Sequence, residues 1–385
     1  MDNKLIYLDN AATSFPKPRK VIDRMVETYT RLGVSPGRGS YDLSMEAADL
    51  VFQTRQKLAR FFGAPDPERV IFAANATDAL NLAILGLVRP GDHVITTRLE
   101  HNSVLRPLFH LAKQSGIEYD LVGFDEHGYI NLDEIASTIR SNTRLVICNH
   151  ASNVLGTVQP VSDIARACVE REIPLLIDAA QSAGYVPIDM SKWNVNAIAF
   201  TGHKALLGPS GIGGLVLSPH LEIKSTRFGG TGIDSRTLIH TQTFPHRLEA
   251  GTLNLLGVFG LLAGLDYLEN EDMERGHQKE MAMIKRLYEG LSLISRVVIH
   301  SPMLTEQDVP VLTCSVKGLS SEDVGAIMDG DYGIAVRTGL HCAPLVHVDL
   351  GTDTNGAIRF SLGRFNTNED IDRALEAMDA ISSGR

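Results

Sequence analysis

The sequence predicts an α/β fold: a large, mainly parallel sheet of seven strands with helices on both faces, joined to a smaller α+β domain. Three observations lead there. Short apolar, β-branched runs recur as far as Leu217, amphipathic stretches separate most of them, and beyond Leu217 long helical patterns alternate with short, irregularly spaced strands. Strands alternating with helices imply crossover connections, and crossovers imply parallel neighbours buried on both faces.

The first run is Val70-Ala73, followed by the amphipathic Thr77-Leu87. His93-Thr97 precedes a helical pattern over Ser103-Ser115, Tyr119-Gly123 precedes Leu132-Ile139, and Leu145-Asn149 precedes Val161-Arg171. Leu175-Asp178, Ala197-Thr201 and Gly213-Leu217 complete the sheet. Phe228-Gly229-Gly230-Thr231-Gly232 then reads as a flexible loop, Leu253 to Leu268 as an apolar helix, and Met273 to Ile294 as a charged one. Strands Arg296-His300, Pro310-Ser315, Ala335-Thr338 and Ala357-Ser361, with helices Ser321-Asp329 and Thr367-Ile381, form the smaller domain. The expected division is residues 20–260 for the large domain, with 1–19 and 261–385 in the small one.

Composition narrows the function classes. With 44% hydrophobic and 21% charged residues, the chain has a packed core, which excludes disorder, collagen and coiled coil. A net charge of -10 without any Lys/Arg block argues against a nucleic-acid partner, since phosphate neutralisation needs clustered cations. The longest apolar stretch, Leu253 to Leu265, is broken by Asn254 and by glycines and ends at Asp266, so no membrane span is expected. Met1 to Ile6 lack the apolar segment of a leader, and a cytoplasmic protein is expected. Cys148, Cys168, Cys314 and Cys342 are scattered without CxxC spacing, as in a protein with reduced thiols.

In parallel sheets, ligands gather at the C-terminal strand ends, and the chemically suggestive residues all fall there. The strand Ala197-Thr201 delivers Thr201-Gly202-His203-Lys204. Lys204 has three readings: an ordinary solvated lysine, a phosphate grip, or an imine-forming amine activated by desolvation and by His203. The phosphate-loop pattern Gly-x-x-x-x-Gly-Lys-Ser/Thr is missing. Asp178 ends the preceding strand, either capping the next helix or holding the protonated nitrogen of a pyridine ring. One strand and crossover separate Asp178 from Lys204, the placement that pyridoxal phosphate needs.

Asn75-Ala76-Thr77-Asp78 opens a helix, where Asn75 or Thr77 serves as a simple cap or the amides receive a phosphate. His101 and Asn153 follow two further strands, and a lone His or Asn in such loops is more often structural. In Val336-Arg337-Thr338-Gly339-Leu340-His341-Cys342, Arg337 is a permanent cation and Gly339 permits a tight turn. Cys342 sits in a loop where His341 and Arg337 are expected to favour its thiolate, whereas the other three cysteines lie in apolar contexts. A zinc set of His341, Cys342, His347 and Asp349 lacks ligand-pair spacing, and no metal is expected. Arg359 is either a carboxylate clamp or a surface strand residue.

Together these segments resemble the cysteine desulfurase and selenocysteine lyase family of class V, fold type I pyridoxal-phosphate enzymes. The likeness runs in order through Tyr7-Leu8-Asp9-Asn10-Ala11-Ala12-Thr13, Asn75-Ala76-Thr77-Asp78, Glu100-His101-Asn102 and Ser152-Asn153-Val154-Leu155-Gly156-Thr157. It continues through Asp178-Ala179-Ala180-Gln181, Thr201-Gly202-His203-Lys204, Glu249-Ala250-Gly251-Thr252 and Arg337-Thr338-Gly339-Leu340-His341-Cys342.

The resemblance implies pyridoxal 5'-phosphate as cofactor and L-cysteine as substrate, yielding L-alanine and a persulfide on Cys342 for a sulfur-acceptor protein. Lys204 would bond the cofactor and move the Cα proton, Asp178 would pair with the ring nitrogen, and His101 would stack on the ring and act as a catalytic residue that moves protons. Gln181 would approach the ring hydroxyl, and Ala76, Thr77, Thr201 and His203 would hold the phosphate. Thr252 would reach in from the second subunit of a homodimer, and Asn153, Arg337 and Arg359 would bind the substrate. Iron–sulfur cluster assembly is one expected destination of the sulfur. The family often has paired threonines where this chain has Ala76-Thr77, and the compact Leu340-His341 segment resembles the group with a short cysteine loop, which implies slow turnover without a partner. Related reactions, among them selenocysteine and cysteine-sulfinate cleavage, need Lys204 but not always Cys342. A non-catalytic binding protein on the same fold is countered by the presence of every residue the chemistry requires.

Overall fold

The computed structural model describes residues 5–37, 39–233, 236–271 and 273–384; residues 1–4, part of the stretch read for a leader, lie outside them. The strands are β1 (Ile6–Tyr7), β2 (Val70–Ala73), β3 (His93–Thr97), β4 (Glu118–Val122), β5 (Thr143–Asn149), β6 (Leu175–Asp178) and β7 (Ala197–Thr201). They continue as β8 (Gly213–Leu217), β9 (Val297–Ile299), β10 (Val311–Val316), β11 (Ile334–Ala335), β12 (Arg337–Gly339) and β13 (Ala357–Ser361). The helices are α1 (Arg19–Leu32), α2 (Asp42–Phe61), α3 (Ala76–Leu87), α4 (Asn102–Ser115), α5 (Leu132–Thr138) and α6 (Val161–Val169). After them come α7 (Met190–Trp193), α8 (Leu255–Asn270), α9 (Met273–Ser292), α10 (Ser321–Tyr332), α11 (Pro344–Asp349) and α12 (Asn368–Ser383).

The large sheet has the order β2-β8-β7-β6-β5-β3-β4, parallel throughout except that β8 runs against both of its neighbours. Both faces are covered, one core forming around Phe62, Phe200 and Phe259 and the other around Leu80, Ile84 and Leu215. Register aligns Asn149, Asp178 and Ala199 across β5, β6 and β7, which brings three loop-bearing strand ends to one edge. A second sheet, β12-β13-β10-β9, packs with α9, α10 and α12 around Phe360, Leu312 and Met378.

Three expectations change. The boundary after residue 260 falls inside α8, whose Leu261, Leu265 and Leu268 belong to the same core as Phe200. The single strand expected over Ala335-Thr338 is two strands in different sheets: β11 pairs in parallel with β1, while β12 pairs with β13. The sequence pattern marks no element between residues 14 and 69, yet α1 and α2 lie there. The buried face of α2 includes the polar Thr54 and Arg55, which interrupt its apolar period. No described helix is long and apolar enough to cross a membrane.

Candidate active site

A cavity of about 580 Å³ opens at the C-terminal edge of the large sheet. Its wall contains Ala76, Thr77, His101, Asn153, Asp178, Gln181, Thr201, His203, Lys204, Arg337, Cys342 and Arg359, every candidate site residue except Thr252. Thr252 lines a separate hollow with Arg55, Glu249 and Thr231.

Lys204 follows β7 by three residues. Burial pushes its ammonium down to about 8, Asp178 opposing the shift and Arg359 reinforcing it. Asp178 is buried at the end of β6 and accepts one hydrogen bond, from Ala180 N–H to Oδ1 at 2.9 Å; burial raises its pKa. Gln181 donates from Nε2 to the Ala11 carbonyl at 3.0 Å, which ties the N-terminal segment to the cavity wall.

The start of α3 presents donors of the kind that suit an anion. Asn75 caps it by accepting from Asp78 N–H at 2.9 Å, leaving the amides of Ala76 and Thr77 without a partner among the described residues. β8 allows this close approach because Gly213 has no side chain; a Cβ there would lie 2.6 Å from the Phe200 carbonyl and 2.9 Å from Asn75 Cα. In the same cavity, Thr201 Oγ1 and His203 Nδ1 are buried without partners among the described residues. Burial pushes His203 down to about 4, so it is neutral.

His101 caps α4 with its own ring: Nδ1 accepts from Ser103 N–H at 3.0 Å, so the proton of the neutral imidazole sits on Nε2. Burial, helped by Lys204 and Arg359, pushes this ring down to about 4. Ser103 Oγ lies 2.8 Å from the same Nδ1 and 2.6 Å from Thr77 Oγ1. With Ser103 donating to the imidazole, the Thr77 hydroxyl donates to Ser103, and the Thr77 backbone amide remains as the donor towards the cavity.

Arg359 is buried in β13 and is the register partner of Arg337 in β12, so two cations stand side by side. Its Nη1 donates to the Asn153 carbonyl at 3.1 Å and its Nη2 to Asp9 Oδ1 at 2.9 Å, while Nε and Asn153 Oδ1 lack partners among the described residues. The guanidinium donors of Arg359 and Arg337 suit a carboxylate, whereas Asn153 Oδ1 is an acceptor and Asn153 Nδ2 already donates to the His341 carbonyl.

Cys342 is the exposed cysteine; the other three are buried. Burial pushes Cys168 and Cys314 up to about 12 and Cys148 well above its ordinary value. The expectation that His341 would favour a Cys342 thiolate is corrected. Burial pushes His341 down to about 2 and its Nδ1 turns to His347 Nε2 at 3.0 Å, so it contributes no positive charge. The zinc grouping dissolves for the same reason, and Asp349 is committed to Arg98 at 2.6 Å. No cluster of three or more potential metal ligands occurs among the described residues.

Three site neighbours have no role that their sequence context assigns. Asp9 orients Arg359, Ser103 orients His101, and the fully buried Glu100 accepts from Thr97 Oγ1 and Asn149 N–H beside Asp178. Only Ser103 carried a local signal, two residues after an N-capping His101.

With this geometry established, similarity to known proteins becomes specific. The family model described as Aminotransferase class-V matches residues 6–374. A protein of Synechocystis sp. named "Probable cysteine desulfurase" is 34% identical, over 98% of this chain and 90% of its own length. The "Cysteine desulfurase" of Yersinia pseudotuberculosis is also 34% identical, over 98% and 93%. The apo structure of cysteine desulfurase from Thermococcus onnurineus superposes with a TM-score of 0.92 at 33% identity, covering all of this chain and 96% of that one.

Proposed function

The chain belongs to the aminotransferase class-V family, and from that premise we propose that it is a pyridoxal 5'-phosphate-dependent cysteine desulfurase of fold type I. It removes sulfur from L-cysteine, releases L-alanine and carries the sulfur as a persulfide on Cys342. The observation that carries this reading is an exposed Cys342 sharing one cavity with a buried, easily deprotonated Lys204.

The cavity's residues suit the cofactor. The amides of Ala76 and Thr77, with the partnerless Thr201 Oγ1 and His203 Nδ1, match a phosphate. Buried Asp178 matches a protonated ring nitrogen, and the neutral His101 ring offers a flat face. When bound, pyridoxal phosphate supplies a carbonyl that bonds the substrate amine and a conjugated ring that stabilises charge at Cα.

The protein's own groups do the rest. Arg359, Asn153 and Arg337 grip the substrate carboxylate and fix its orientation. Lys204, as the free amine, accepts the Cα proton and afterwards holds it for return. Cys342, as thiolate, attacks the substrate sulfur: an S–S bond forms and the Cβ–S bond breaks with its electron pair left on carbon. Protonation of that carbon completes the methyl group of alanine.

The working unit is a homodimer in which Thr252 reaches the phosphate of the second subunit. Support comes from the position of Thr252 outside its own chain's cavity and from the exposed Phe228, Leu238 and Ile239 on the same connecting segment. An acceptor protein takes the sulfur from Cys342.

The deciding experiment is the visible spectrum of the purified protein with and without L-cysteine, with alanine assayed in parallel. A cofactor band lost in Lys204→Ala, with alanine formation lost in Cys342→Ala, is the expected result. A band with no alanine formation would transfer the protein to a sister reaction of the family.

A further inference from the structure

Behind Cys342 lies a line of polar groups that the reaction above does not use. His341 Nε2 is 3.4 Å from the Arg337 carbonyl, His341 Nδ1 is 3.0 Å from His347 Nε2, and His347 Nδ1 is 2.7 Å from Thr352 Oγ1. His347 is fully buried near the C-terminal end of α11, and Thr352 N–H closes that turn onto the His347 carbonyl at 2.8 Å.

The direction of the protons follows from the Arg337 end, because the Thr352 hydroxyl can donate or accept and also lies 3.5 Å from the His347 carbonyl. A carbonyl only accepts, so His341 carries its proton on Nε2 and presents a lone pair at Nδ1. His347 must then donate from Nε2, which leaves its Nδ1 to accept from the Thr352 hydroxyl. With both rings neutral the chain is satisfied from end to end. Burial keeps them so, pushing His341 down to about 2 and His347 to about 4.

The chain ends on a strained segment. His341 and Cys342 are consecutive non-glycine residues in the left-handed region, with φ of 49° and 58°. Residues so placed persist only where the surroundings hold them. Three backbone contacts contribute: Asn153 Nδ2 donates to the His341 carbonyl at 2.7 Å, Asn102 N–H to the Cys342 carbonyl at 2.7 Å, and Ala343 N–H to the Leu340 carbonyl at 2.9 Å. The ring chain supplies the anchor on the opposite side.

We infer that Thr352, His347 and His341 form a one-directional hydrogen-bond chain that fixes Cys342 against the cavity, with His347 a positioning residue for sulfur transfer. The assignment to sulfur transfer rests on the desulfurase reading; the chain itself does not.

The test uses the cofactor-loaded enzyme and two variants. His347→Gln keeps an N–H donor towards His341 Nδ1, whereas His347→Leu keeps volume and removes it. Nitrogen-15 spectra of the histidine rings at neutral pH should show His341 and His347 as neutral Nε2–H tautomers. Hydrogen exchange at the Asn102 and Ala343 amides should be about 5- to 30-fold faster in H347L and within about twofold of the parent in H347Q. Alanine formation should follow the same order, while the spectral response to L-cysteine keeps its half-saturation concentration. A cationic ring, an Nδ1–H tautomer at either position, or two variants that behave alike would overturn the chain. If H347L does not fold, the tautomers of the parent enzyme decide. Correct tautomers and exchange in an enzyme that makes no alanine would leave the chain standing and remove the desulfurase reading.

Discussion

Arg359 Nη2 lies 2.9 Å from Asp9 Oδ1, an ion pair that joins opposite ends of the chain at the wall of the cavity. Pairing of β1 with β11 and the bridge from Asp9 to Ser361 carry the N-terminal segment there. Asp9 thereby holds one edge of a buried guanidinium while Nε remains a donor without a partner among the described residues.

Asp9→Asn keeps the shape and removes the charge. A hydrogen bond to a charged group contributes about 1.5–3 kcal/mol, so KM for L-cysteine should rise about 10- to 100-fold with a smaller change in kcat. Steady-state kinetics on purified D9N check this, and an unchanged KM would remove Asp9 from substrate positioning.

Much of this site was legible in the sequence because its residues sit where strands end. Asp178 and Lys204 follow apolar runs whose alternation with helices forces neighbouring parallel strands, so their proximity follows from topology. Asp9 and Arg359 meet across 350 residues, which no local period reports. His341 and His347 are close in sequence without ligand-pair spacing, and ring rotation, which sequence does not encode, turns one nitrogen directly onto the other. The two strands between Ile334 and Gly339 were read as one because the residues remain extended while the chain changes sheet.

Lys204 provides a pH signature. Burial lowers its pKa to about 8, so it is largely ammonium below that pH and largely amine above it. Only the amine attacks an aldehyde. Uptake of pyridoxal phosphate by the apo-protein should therefore rise about tenfold per pH unit on the acid side and level off above pH 8, whereas an ordinary lysine would keep gaining to about 10.4. Asp178 raises the Lys204 pKa, so Asp178→Asn should move the midpoint lower. Stopped-flow absorbance across the pH range gives both numbers, and a midpoint near 10 in the parent would contradict the buried-amine description.

The start of α3 separates amide from hydroxyl. Proline is tolerated at the first position of a helix and lacks the N–H, so Ala76→Pro removes one phosphate donor without breaking α3. Thr77→Val removes a hydroxyl that already points to Ser103. Cofactor dissociation should be about 10- to 100-fold easier in A76P and nearly unchanged in T77V. Equilibrium dialysis against pyridoxal phosphate ranks the two; the reverse order would place the phosphate on the hydroxyl.

Glu249 anchors the segment that carries Thr252. Its Oε1 accepts from Arg55 Nη1 at 2.8 Å and from Phe72 N–H at 2.6 Å, and its Oε2 accepts from Arg55 Nη2 at 2.7 Å. Both side chains are buried, and the guanidinium also lies 4.3 Å from the centre of the Phe72 ring. Glu249→Gln keeps one acceptor but turns an N–H₂ group towards a buried cation, leaving it without a counter-charge. Breaking a buried pair in this way costs about 3–5 kcal/mol, whereas replacing both partners with apolar residues is close to neutral. Urea unfolding at fixed protein concentration should therefore show a large loss of stability for E249Q and a smaller one for the R55M/E249M double variant, whose remaining cost is the buried Phe72 N–H and Val70 carbonyl left without partners. Because the double variant restores the core without restoring the ion pair, it also tests what the pair does for Thr252. If the pair fixes the direction of the Glu249-Ala250-Gly251-Thr252 turn, the stable double variant will still hold its cofactor less tightly than the parent. If it retains cofactor normally, the pair serves stability alone.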